Sequence, residues 1–176
     1  MTTLAEWQNF YVIVGSSAGA LIGLQFVVMA LIANRPRSPE LAQAGAAFST
    51  PTIVHFATVL FLAAAMCAPW RAIFPVALVW GAAGLAGVVY SVLVTRRLRR
   101  QAAYEPESED WVFYAALPIA AYAALGASAL LSLGQPGMSL FFAAGASLLL
   151  LAIGIHNAWD NVTYHVFVSR PEQSAR

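Results

Sequence analysis

The sequence predicts an all-α, polytopic membrane helix bundle with five transmembrane helices. Three observations predict it. Only 10% of the 176 residues are charged and 60% are hydrophobic, whereas a soluble domain carries about 25% charged residues. So few charges cannot cover a soluble surface. The apolar residues gather into long runs, the five best of which approach the roughly 20 residues that cross a bilayer as a helix. None of the runs alternates, so they do not read as strands of a closed barrel, the other structure that spans lipid.

The five spans follow in order. The first covers residues 10–33. Its leader, "MTTLAEW", has no positive charge, and the apolar run is too long for a signal-peptide core, so the helix is expected to be retained. The second covers residues 52–68, the third 73–95, the fourth 112–133 and the fifth 138–157, with a polar helical extension to about residue 168. Their separators are "NRPRSPE", "APWR", "RRLRRQAAYEPESED" and "LGQPG", rich in charge and in the helix breakers Pro and Gly. A continuous helix from 138 to 168 would measure about 46 Å against a hydrocarbon core of about 30 Å. Its end must therefore protrude, tilt or bend. The whole chain, 1–176, reads as one integral membrane domain.

Arginine placement predicts the orientation. With five spans, Arg35 and Arg37, the group Arg96, Arg97, Arg99 and Arg100, and Arg170 and Arg176 share one side; Arg71 is alone on the other. Basic residues favour the cytoplasmic side. The N-terminus is thus expected outside and the C-terminus in the cytoplasm. Trp7, Trp70, Trp111 and Trp159 all fall near span ends, where an aromatic belt places them. Arg96, Arg97, Arg99 and Arg100 read as lipid anchors of the third helix, with Ser108 as a cap for the fourth and Glu109 and Asp110 favoured by its dipole. The same cluster also has the composition of a lipid-headgroup sensor or docking site.

Composition narrows the function classes. The formal net charge of +1 gives no reason to expect a nucleic-acid partner. The lone cysteine, Cys67, excludes an intrachain disulfide and a Cys-based zinc site. Every basic residue is Arg, and Ala and Gly are abundant. That composition points to a bacterial protein, with the cytoplasmic (inner) membrane as its expected location. The expected partners are the lipid bilayer and either further copies of the chain or another membrane protein.

Residues 15–19, "GSSAG", match the G-x-S-x-G string of a serine-hydrolase nucleophile elbow, with Ser17 as the nucleophile. An elbow needs a strand, a tight turn and a helix, and this string lies inside an apolar helical run. Gly15, Gly19 and Gly23 recur every four residues, which describes a glycine zipper for close helix packing. Depth argues against catalysis as well. Ser17 lies about 10 Å below the outer end of its span and His156 about 27 Å below the outer end of the fifth. His55 lies near the cytoplasmic start of the second span. A nucleophile and its base must meet at about 3 Å, so no enzyme is expected. Small-residue faces recur at "GAAGLAG" (81–87) and at Ala116, Ala120, Ala124 and Ser128.

The polar residues at membrane depth are the functional candidates. Gln25 lies in the cytoplasmic half of the first span and His55 about a turn into the second. His156, Asp160 and Thr163 share one face at the end of the fifth. Gln25, His55, His156 and Asp160 are therefore expected to converge in one cytoplasmic-side layer. A His with an Asp suits proton relay, ion coordination or a His–carboxylate pair. The competing reading is an amphipathic turn that protrudes and binds nothing. No H-x-x-x-H or H-E-x-x-H spacing appears, so neither a metal nor another cofactor is expected.

The stretch "WQNFYVIVGSSAGALIGLQFVVMALIAN", Trp7 to Asn34, resembles the first helix of small bacterial five-span membrane proteins. Some of these carry the label modulator of FtsH protease, a regulator of the ATP-dependent membrane protease. The resemblance covers this helix and, loosely, the five-span length. It implies a regulator and no catalytic residue. The expected function is that of a non-enzymatic integral membrane protein acting through helix–helix contacts, a regulator or accessory subunit of a membrane complex such as a membrane protease. The alternative is a small homo-oligomeric ion or proton channel or transporter that uses the His/Asp/Gln layer.

Overall fold

A computed structural model of the chain describes residues 4–33, 39–100 and 108–163. The described residues are helical except at turns, and five helices are long and apolar enough to cross a membrane. A short 3-10 turn, Ala5–Trp7, leads into α1 (Gln8–Ala33). α2 (Pro39–Cys67) and α3 (Ile73–Arg100) follow. The fourth span is composite: α4 (Ser108–Trp111), a π-helical turn (Val112–Ala116) and α5 (Leu117–Leu131). α6 (Pro136–Thr163) completes the bundle.

Helix ends differ from the apolar runs for local reasons. α2 starts thirteen residues before the span expected at residue 52, because "PELAQAGAAF" opens on Pro and is then rich in Ala, Leu and Gln, good helix formers that are not all apolar. α3 continues past residue 95 through "RRLRR", since Arg also favours helix. The fourth helix begins at Ser108 itself, with Glu109 and Asp110 in its first turn, where the helix dipole favours acids. α6 runs to Thr163; the remainder of the expected extension, to residue 168, lies outside the described residues, as do Arg35, Arg37, Arg170 and Arg176. The π turn has a cause in Pro118. Proline cannot donate to the carbonyl four residues back, here Tyr114, and its ring crowds it. The helix widens instead, and the Leu117 N–H bonds the Val112 carbonyl five residues back.

In space the helices run α1, α2, α6, α5, α3, each packed on the next, with a weaker contact from α2 to α3. α6 is central: half of its apolar window is buried, against 22% for α1. One apolar core gathers Tyr11, Leu62, Met66, Val76, Trp80, Leu125 and Leu140; a second joins Val14, Val59, Tyr122, Leu150 and Ile153. Large apolar side chains such as Phe26, Phe61, Phe74, Leu85, Leu130 and Phe141 face outward. In water that surface would be untenable, and in lipid it is the ordinary exterior.

Close approach of the helices depends on particular glycines. A methyl group at Gly84 of α3 would lie 2.6 Å from the backbone nitrogen of Gly126, and one at Gly81 would lie 2.8 Å from the Ala129 Cβ. At Gly87 it would overlap the Tyr122 ring, and at Gly154 of α6 the Phe56 ring. The expected face Ala116, Ala120, Ala124 and Ser128 packs only at its later end, where Ser128 is buried and Ala124 lies against the apolar core. Ala116 and Ala120 are exposed, and Pro118, Ala121, Tyr122, Leu125 and Ser128 turn inward. The π turn and the crossing with α3 together select that second face.

The zipper expected on α1 is also only partly used within the chain. A methyl at Gly15 would meet the Ala63 Cβ at 2.7 Å, whereas at Gly19 and Gly23 it would meet nothing within 4 Å. Inside one chain, α1 touches α2 along one edge, and the later glycines rotate away from it.

Candidate functional site

Gln25, His55, His156 and Asp160 do not meet in one cluster: they face three separate places, although Phe56 and Ile155, next in sequence to His55 and His156, line the same groove as Gln25. The reason is helix geometry: successive residues turn by about 100°, so neighbours on one helix face different partners.

His55 is buried inside the bundle, 1% exposed. Its Nδ1 lies 3.0 Å from the Tyr122 hydroxyl on α5. That hydroxyl lies 3.3 Å from Thr58 Oγ1, one turn further along α2, and Thr58 donates to the Val54 carbonyl at 2.9 Å. Donor counting fixes the direction of this chain. Thr58 has one hydroxyl proton and gives it to Val54, so it accepts from Tyr122. Tyr122 then has none left and accepts from His55, whose Nδ1 carries the hydrogen. Only this assignment satisfies all three contacts, and hydrogen bonds aligned in one sense reinforce one another. Gly87 makes the chain possible, because the Tyr122 ring lies directly on it.

His156 sits elsewhere. Its ring stacks on Phe113 of the π turn, with centroids 3.4 Å apart and planes 18° from parallel. Its Nε2 is 3.1 Å from Asp160 Oδ2 and 3.5 Å from Glu109 Oε1, at ion-pair distance though without the alignment of a hydrogen bond. Asp160 follows His156 by four residues on α6, and Phe113 follows Glu109 by four on the fourth helix. Two one-turn pairs thus meet face to face. The carboxylates are well exposed, 65% for the Glu109 side chain and 43% for Asp160, so this cluster belongs to the surface of one bundle end. Thr163 does not join it; its hydroxyl bonds the Asp160 carbonyl.

Gln25 is buried in a third setting. It lines a groove of about 210 Å³ between α1 and α6, with Leu21, Leu24 and Val28 on one wall, Ile155, Ala158, Trp159 and Val162 on the other, and Phe56 between. No ionisable side chain lines this groove. The side-chain amide of Asn157 on α6, wholly buried, has no hydrogen-bond partner among the described residues, while its backbone carbonyl accepts from Asn161 Nδ2 at 2.9 Å.

Ser17 lies in the middle of α1, where its hydroxyl donates to the Ile13 carbonyl at 2.9 Å. The string "GSSAG" is therefore an internal helical segment. Among the described residues no group of three His, Cys, Asp or Glu side chains is placed to hold a metal ion.

Tyr122, Thr58 and Phe113 join the site only in the folded chain, and Glu109, expected only at a helix start, reaches His156 as well. Tyr122 had a signal: it is the one polar-tipped bulky residue in "AAYAALGAS". Of the tryptophans expected at span ends, Trp70 bonds the Ala65 carbonyl through its indole N–H at 2.6 Å, and Trp7 packs edge-on against Phe141. Trp80 is instead buried mid-helix. With this geometry in hand, the chain matches no protein-family model, no curated protein and no solved structure.

Proposed function

We propose that this integral membrane protein is non-enzymatic and acts through lateral helix–helix contacts, as a regulator or accessory subunit of a membrane complex. One observation supports the reading above others: α1 is the least buried span, and its Gly19 and Gly23 face away from the chain with open space beyond them. Small residues on a membrane helix favour close approach of another helix. A membrane protease is the candidate complex, by the resemblance of Trp7–Asn34 to modulators of FtsH protease. In this proposal the membrane is the bacterial inner membrane, with the N-terminus outside by the arginine bias. The test is blue-native electrophoresis of native membranes carrying the chain or its Gly19→Leu and Gly23→Leu variants. A larger complex that the variants lose, while each variant remains folded, supports the proposal. Migration as a lone chain in every case refutes it.

A second reading is a small proton or ion pathway, and the buried His55–Tyr122–Thr58 chain favours it. Reconstituted vesicles distinguish the two. Flux that disappears in His55→Ala supports a pathway; vesicles as tight as protein-free ones leave the helix-contact reading.

A further inference from the structure

The arginine cluster at the end of α3 holds more than positive charge. Arg96, Arg97 and Arg99 are all exposed, and among the described residues none forms a salt bridge with a carboxylate. Arg99 is distinct from its neighbours. Its guanidinium lies over the indole of Trp111, 5.6 Å from the ring centroid. Trp111 ends α4, so the pair ties the end of the third span to the start of the fourth.

A guanidinium held over an indole is restrained by that contact and keeps its N–H donors for a ligand. That fork matches two oxygens of a phosphate. The carboxylates that flank Trp111 are engaged already: Glu109 lies 3.5 Å from His156, and Asp110 has a contact of its own. The charge left to complement is positive. Its position is the end of an apolar helix of membrane-spanning length, beside a tryptophan, which is the level of lipid headgroups.

We propose that Arg99, held over Trp111, with Arg96 and Arg97 beside it, forms a binding site for the phosphate of an anionic phospholipid. The site is selective through the oriented guanidinium and does not depend on summed charge alone. Arg99 binds the headgroup, Trp111 positions Arg99, and Arg96 and Arg97 add attraction.

The test uses the full chain in phosphatidylcholine vesicles doped with spin-labelled phosphatidylglycerol or spin-labelled phosphatidylcholine. The readout is the relative association of the two labelled lipids. Wild type is expected to prefer the anionic lipid. Arg99→Gln is expected to weaken that preference about fivefold, the attraction of one surface arginine. Arg99→Lys, which loses the guanidinium fork, and Trp111→Leu, which loses the cation–π contact, keep every charge and are expected to weaken it about two- to fivefold. Two results would overturn the site: no preference in wild type, or Arg99→Lys and Trp111→Leu both indistinguishable from wild type while Arg99→Gln alone weakens. The second result would mean a diffuse positive belt. Trp111→Leu alters no group on α3, so its reading stands even if the Arg99 variants fold poorly.

Discussion

The glycines of α3 and those of α1 lie in similar sequence and have opposite surroundings. Gly81, Gly84 and Gly87 sit against Ala129, the backbone of Gly126 and the ring of Tyr122. Gly19 and Gly23 sit against nothing in their own chain. Spacing identifies a small helix face in both cases. Whether that face packs inside the chain depends on how the helix is turned about its axis: α1 and α3 end the row of helices, yet α3 turns its glycines towards α5, whereas α1 turns only Gly15 towards α2. The α3 glycines serve folding, and the α1 glycines remain available for something outside the chain.

Alanine substitutions break this comparison where it is sharpest. Gly84→Ala is expected to have the largest effect, a loss of about 3 kcal/mol, because its methyl would meet the backbone of Gly126, which cannot turn aside. Gly87→Ala comes next, at about 2 kcal/mol: the Tyr122 ring can move, but then leaves His55. Tyr122→Phe should lose about 1 kcal/mol, since it leaves His55 Nδ1 without its partner while preserving the packed ring. Gly126→Ala and Gly23→Ala should be neutral or stabilising by up to about 1 kcal/mol, the gain in helix propensity where the added methyl meets open space. Denaturant unfolding in mixed micelles, followed by tryptophan fluorescence, ranks all five. The pair Gly84→Ala and Gly126→Ala is the most informative, because both residues lie at one crossing and only one of the two methyls collides.

The spans were legible in the sequence because lipid demands long apolar runs. Their helical ends were less so. The start of α2 at Pro39 and the end of α3 at Arg100 are set by helix propensity, to which a search for apolar residues is blind. The polar sites split in the same way. His55 was legible as an ionisable residue in an apolar run. Its partner Tyr122 stands 67 positions away, on another helix, and only tertiary packing brings the two together. The His156–Asp160 pair was legible as a one-turn spacing, but Glu109 and Phe113 meet it only through tertiary packing. Gln25 was placed at a plausible depth, yet depth says nothing about the direction a side chain faces.

The central claim is that the outer face of α1 contacts another membrane helix. Photo-crosslinking from a benzoylphenylalanine in place of the exposed Phe26, about one turn from Gly23, compared with one at Leu85 on the exposed face of α3, tests it most directly. The account predicts a discrete protein adduct from position 26 that Gly19→Leu abolishes, and lipid adducts alone from position 85. Lipid adducts alone from both positions would contradict it.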